Sequence, residues 1–176
     1  PIIESVVSTQ NLQKAFTITK REYTAADWSF WGKFKINKET LDKFNVVALD
    51  SYSAFNKEGK PYEIKAFGGR LMFAYDNGYW TKIYKPFDEK KYKFQYLGSK
   101  EADFIFGWKH LQTAEDLGFM TVGDREILCL VSQGFNAVSL NSETATIQDN
   151  IALELKDRFT NVVVLYDNDA TGIKQS

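Results

Sequence analysis

The chain has 176 residues, 44% hydrophobic and 15% aromatic, which is enough for a real core in one domain or two small ones, and its charged fraction of 26% excludes a disordered chain. A net charge of −1 argues against a protein that coats nucleic acid with its whole surface, while leaving local basic patches open. The single cysteine, Cys129, excludes an internal disulfide and a CxxC zinc site, and no apolar run approaches the ~20 residues of a membrane span.

Cys129 lies in ILCLV and reads as a small buried thiol, in keeping with a cytoplasmic location. No signal peptide is legible. The chain starts at Pro1 rather than Met, so it is expected to be a piece of a longer protein.

In chain order, residues 24–49 read as partly helical, with Asn37 as N-cap of KETLDKFNVV and Leu41 and Phe44 at i, i+3 spacing. RLMFAYDNGYWTKIYKPF reads as a β-hairpin turning at Asp76-Asn77-Gly78, and KYKFQYLGS, 91–99, as a further strand. FIFGWKHLQTAEDLG, 104–118, is expected to be a helix ending at Gly118. A strand at 119–122 follows, then a helix over 124–134 opened by Asp124, a strand at 135–141, a helix at 144–159 and a strand at 161–167. Strands alternating with helices imply a parallel sheet covered on both faces. The expected fold class is therefore an α+β N-terminal subdomain, residues 1–102, followed by an α/β subdomain with a Rossmann-like parallel sheet, residues 103–176.

In open α/β sheets ligands bind beyond the carboxyl ends of the strands. Asp167 and Asp169 sit at such an end, two apart and on one side of an extended segment. Paired hard oxygen ligands with no nearby cysteine or histidine suit Mg²⁺ or Mn²⁺. The alternative is an Asx-turn capping a following helix. An EF-hand is disfavoured because a strand, not a helix, leads in. The other strand ends deliver Asp124, otherwise a helix cap, and Glu143, otherwise a solvated first-turn acid.

Between 82 and 100, lysines 82, 85, 90, 91, 93 and 100 face only Asp88 and Glu89, and Tyr84, Phe87, Tyr92, Phe94 and Tyr96 interleave. Charge neutralisation plus stacking holds single strands, but the same pattern suits a solvated strand whose aromatics enter the core. His110 reads as structural.

The order strand, Gly-acid helix start, G-F-N-A-V, then V-V-V-L-Y-D-N-D-A-x-G-I resembles a TOPRIM domain, the fold of bacterial-type primases, topoisomerases and related nucleases. The segments NKETLDKFNV, GRLMFAYDNGYWTKIYKPF, KFQYLGSK and FIFGWKHL resemble, in order, the region that precedes TOPRIM in primases, closest to the phage and mobile-element variety. The resemblance spans roughly residues 30–176. It implies a core that polymerises RNA primers on single-stranded DNA from nucleoside triphosphates, with a replicative helicase as a candidate partner and without membrane contact. It implies Mg²⁺ or Mn²⁺ at Asp167, Asp169 and Glu126, with Asp124 and Glu126 as catalytic acids and Glu143 as an accessory acid. Arg70 matches the family's R-x-x-F arginine. Lys82, Lys85, Lys91, Lys93 and Lys100 fall on the family's basic ridge, Lys85 and Lys93 as approximate matches.

Two departures from the family stand out. The glutamate that precedes the motif glycine is Val122 here; Glu126 falls on the second acid, and Asp124 is the nearest replacement for the missing one. There is also no zinc module, and the chain stops four residues after Gly172, before the family's core would finish. Two other readings follow: a catalytically impaired TOPRIM domain that binds DNA or a replication partner, which Val122 favours, and a TOPRIM nuclease, which the aromatic N-terminal part disfavours.

Overall fold

A computed structural model describes residues 16–112, 115–139 and 147–166. The expected metal ligands Asp167 and Asp169 and the accessory Glu143 lie outside the described residues.

The first part is an antiparallel sheet. Strand β1 (Phe16–Arg21) is followed by helices α1 (Ala25–Gly32) and α2 (Lys38–Lys43), then β2 (Val46–Phe55), β3 (Pro61–Lys65), β4 (Phe73–Asp76), β5 (Trp80–Tyr84), a one-turn helix α3 (Lys90–Lys93) and β6 (Phe94–Gly98). The strand order is β1-β2-β4-β5-β6; the first half of β2 pairs with β4 and its second half with β3. Local chemistry explains the helix starts. Thr24 and Asp27 form a capping box on α1. Asn37 accepts a 2.9 Å bond from the Thr40 amide on α2, the cap expected from sequence. The hairpin expected at Asp76-Asn77-Gly78 joins β4 and β5, with Gly78 at φ 85°.

Opposite β1, β2 carries one extra residue. Thr19 pairs with Ser51 and Lys20 with Leu49, leaving Asp50 without a partner in β1. That bulge inverts the alternation. Leu49 before it, and Tyr52 and Ala54 after it, all enter one core with Phe16, Ala74, Ile83 and Leu97. The other face of the sheet carries Phe73, Tyr75 and Tyr84, packed with Trp31 and Leu41 from the helices.

The second part is a parallel sheet of order β8-β7-β9. A 3₁₀ turn (Trp108–His110) precedes β7 (Glu115–Thr121), α4 (Asp124–Ser132), β8 (Asn136–Ser139), α5 (Asp149–Arg158) and β9 (Phe159–Val164). Helix α4 buries Ile127 and Leu128 in the same cluster as Trp31, Phe44 and Phe73, so the two sheets share one core. Helix α5 packs on the opposite face through Leu155 and Ile151, against Met120, Val138 and Phe159.

Three expectations are corrected. The helix over 104–118 does not form. Gly107 takes φ 91°, only the 3₁₀ turn follows it, and Glu115–Gly118 belong to β7. Gly118 is a close-packing site rather than a helix end, because a Cβ there would lie 2.7 Å from the Phe159 ring. The strand expected at 91–99 begins only at Phe94, after the turn of α3. The last strand is not covered on both faces: Val162, Val164 and Leu165 are 36%, 44% and 40% exposed. Among the described residues α5 covers only its Phe159 end.

Candidate nucleic-acid interface and strand-end site

Strands β4, β5 and β6 place Lys82 between Tyr75 and Tyr96, and Tyr84 between Phe73 and Phe94. Because alternate residues share a face, these side chains lie on the side of the sheet that meets the parallel part. Tyr84 stacks on Phe94 with centroids 5.1 Å apart, while Phe94 and Tyr96 keep 45% and 49% of their surface exposed. Lys100 lies 5.1 Å from the Tyr96 ring centroid and 5.6 Å from that of Trp80. The 82–100 segment is thus mixed. Tyr84 is core, and Phe87, Tyr92, Phe94 and Tyr96 are at the surface among lysines.

The basic residues differ in their surroundings. Arg70 is exposed, in the loop before β4. Lys91 is exposed and 3.5 Å from Glu89. Lys85 is largely covered and 3.8 Å from Asp88. Lys93 lies 6.0 Å from the Tyr84 ring centroid. Lys82 is the most enclosed: its Nζ donates to Asp124 Oδ2 at 2.6 Å, and only 14% and 17% of the two side chains remain exposed. Burial pulls the Lys82 ammonium down, but the Asp124 carboxylate outweighs it and holds the lysine above its ordinary value. Burial, only partly offset by Asp124 and reinforced by Lys82, pulls Lys100 below its ordinary value.

At the carboxyl end of β7, Asp124 and Glu126 both stand in the first turn of α4. Two residues apart on a helix, they cannot face the same way. Asp124 turns to Lys82. A small cavity of about 40 Å³ beside it is lined by Val122, Lys82, Lys100, Tyr75 and Ser139. Glu126 turns away and pairs with Arg125 at 3.0 Å. A Cβ on Gly123 would collide with the Glu126 carboxylate, so the motif glycine is what lets the acid fold back over the helix start. The Arg125 guanidinium lies 4.3 Å over the Phe34 ring, and Glu126 and Tyr84 raise its pKa although burial opposes them. Arg125 and Glu126 line a second cavity, of about 350 Å³, with Phe34, Thr121, Leu165 and Tyr166. Tyr166 immediately precedes Asp167 in sequence.

Among the described residues, no three of His, Cys, Asp and Glu come together as metal ligands do. Sequence reasoning missed Arg125 and Phe34, which carry no motif. It also grouped Asp124 with Glu126, although two positions apart on α4 they face different ways.

No protein-family model matches the chain, and no curated protein matches it. Solved structures do. The DnaG catalytic core superposes with a TM-score of 0.56 at 15% identity, over 88% of this chain and 59% of that one. The Aquifex aeolicus primase, zinc-binding and RNA polymerase domains, gives 0.54 at 16% identity, over 86% of this chain and 45% of that one. The primase fragment of the bacteriophage T7 primase-helicase protein gives 0.51 at 20% identity, over 91% and 59%. The chain thus spans about half the length of these structures. The described residues thus have a fold of the type found in bacterial and phage primase catalytic cores.

Proposed function

We propose that this chain is a primase-like nucleotidyltransferase core of TOPRIM type that makes RNA primers on single-stranded DNA. The observation that carries the reading is a primase-core fold in which the lysine- and aromatic-bearing face of β5 and β6 meets the strand ends of the parallel sheet. Single-stranded template would run over Phe94 and Tyr96, with Arg70, Lys85, Lys91, Lys93 and Lys100 on its phosphates. Asp167 and Asp169, helped by Glu126 beside the β9 exit, would hold Mg²⁺ or Mn²⁺, which supplies charge stabilisation at phosphoryl oxygens. The two parts, residues 1–102 and 103–176, would be the template-facing and the metal-holding subdomains. The T7 neighbour is part of a primase-helicase protein, which supports a replicative helicase as partner.

One specific observation favours a second reading, a catalytically impaired module that binds DNA. Val122 stands where the resemblance puts a glutamate, and Asp124 is engaged by Lys82. Losing one general acid or base costs ~10²–10⁴ in rate.

The test is primer synthesis on single-stranded DNA with Mg²⁺ and with Mn²⁺, beside anisotropy measurements of DNA binding. Template-dependent ribonucleotide products lost in Asp167→Asn/Asp169→Asn establish the first reading. DNA binding without products, with synthesis restored by Val122→Glu, establishes the second. For either, Lys85→Ala/Lys93→Ala should weaken DNA binding and lower the salt slope by about 0.7 per lost phosphate contact. An unchanged affinity and slope would remove the basic face from both readings.

A further inference from the structure

Lys82 sits in an enclosure that a template-binding lysine does not need. Its ammonium lies 4.4 Å from the Phe94 ring centroid and 5.8 Å from those of Tyr75 and Tyr96, and it meets Asp124 at 2.6 Å. Three ring faces and one carboxylate are how a protein holds a cation it keeps. The pair spans the seam between the sheets, from the middle of β5 to the first residue of α4. Beside it the strand end contributes Val122, which has no lone pair to offer.

The Lys82 ammonium occupies Oδ2 of Asp124 and offsets the charge that would draw a divalent ion to this carboxylate. An ion placed there would also meet Lys82 and Lys100, whose charges repel it. Glu126 differs: its Arg125 partner is 37% exposed and its carboxylate opens on the cavity that ends at Leu165 and Tyr166.

We infer that Lys82 is the resident cation of Asp124, so that the Val122–Asp124 side of the β7 strand end is closed to divalent metal and any ion is held from the Glu126 side alone. This deepens the proposed function and rests on its reading of the strand ends as the metal-holding centre. It makes Lys82 a positioning residue that fixes α4 against β5, rather than a ligand for template. It also separates the two acids that sequence alone groups together.

Mn²⁺ titration followed by the free-ion electron paramagnetic signal tests the assignment on the whole chain. Asp124→Asn should leave wild-type Mn²⁺ affinity within twofold, and Lys82→Arg should do the same. Lys82→Met should tighten Mn²⁺ binding several-fold, and Lys82→Met/Asp124→Asn should abolish that gain. A tenfold loss in Asp124→Asn, or no gain in Lys82→Met, overturns the inference. Should Lys82→Met prove too unstable to titrate, urea unfolding of the two single variants and the double decides. Coupling of tenfold or more in the unfolding constant supports the resident pair, and coupling below twofold overturns it. Failure of the underlying reading looks different: Asp167→Asn/Asp169→Asn would then leave Mn²⁺ binding intact, whatever Lys82 and Asp124 do.

Discussion

The antiparallel and parallel parts of this protein solve burial in different ways. The antiparallel sheet is covered on both faces: Trp31, Leu41 and Phe73 are fully buried on one side, Leu49, Ala74 and Ile83 on the other. The parallel sheet is covered where α4 and α5 reach it, but β9 leaves Val162, Val164 and Leu165 at the surface. The apolar residues of β9 resemble those of a buried strand, so composition does not separate the cases. What separates them is which helix lies over which strand. Stability should therefore concentrate in the shared core, while the candidate chemistry stands at the rim, where side chains such as Glu126 and Lys100 stay reachable.

The largest expected effect tests how firmly the antiparallel part is locked. Arg21 grips Asp27 with two bonds of 2.5 and 3.0 Å, and the Asp27 side chain is completely enclosed. Burial raises the Asp27 carboxyl, but the bonds from Arg21 and Thr24 outweigh it and hold it below its usual range. Arg21→Ala leaves an unpaired buried charge and should cost about 3–5 kcal/mol at neutral pH by urea unfolding. A group with a depressed native pKa stabilises above its unfolded pKa and loses that contribution as pH falls through its native one. The wild type should thus lose this term on acidification, and the gap to Arg21→Ala should narrow as Asp27 protonates in both. A gap that widens in acid would show that the pair is not the lock.

Next comes a direct contrast between covered and uncovered positions. Ile127→Ala, at 0% exposure in the shared core, should cost about 2–5 kcal/mol. Val164→Ala, at 44% exposure, should stay within about 0.5 kcal/mol. Equal costs in urea would break the comparison, because β9 would then be as buried as α4.

Gly118→Ala probes the close approach inside the parallel sheet. The new methyl would press on the Phe159 ring, an overpacking expected to cost about 1–3 kcal/mol. Adding Phe159→Leu should recover part of the loss in a thermal melt; no recovery would place the strain in the backbone instead.

An effect that shows only on acidification lies at the seam. His110 packs on Phe44 with centroids 4.4 Å apart, and its buried Nε2 has no partner. Burial, with Lys109 and Lys43 adding to it, lowers its pKa to about 4 from 6.5. Between those values the unfolded chain binds a proton that the native one does not, so stability should fall as pH drops from about 6.5 towards 4. His110→Phe should flatten that slope in pH-dependent melts. An unchanged slope would assign it to other groups.

Much of the fold was legible in the sequence, for local reasons. Asn37 and Asp76-Asn77-Gly78 act through their own backbone neighbourhood, so the α2 cap and the β4–β5 hairpin could be read from a few residues. The periodicity of DREILCLVS likewise predicts α4, though Gly123 rather than Asp124 takes the cap position. The 104–118 segment failed because helical spacing in FIFGWKHL competes with a tertiary demand. Gly107 must take positive φ there, where a Cβ would lie 2.5 Å from the Ala137 carbonyl oxygen, and Glu115–Gly118 are claimed by β9 as sheet partners.

The candidate site divides in the same way. By itself the sequence determined the residue types at the strand ends, including a valine where the resemblance expects an acid, and the lysine surplus between 82 and 100. Only the tertiary structure decided that Lys82 belongs to Asp124, that Arg125 rests on Phe34, and that the acids of one motif serve different neighbours. Lys82 and Asp124 are 42 residues apart, and no local pattern couples them. A charge can be read from a chain one residue at a time, but its partner is fixed by which strands and helices pack together, and with it whether that charge is free to bind anything else.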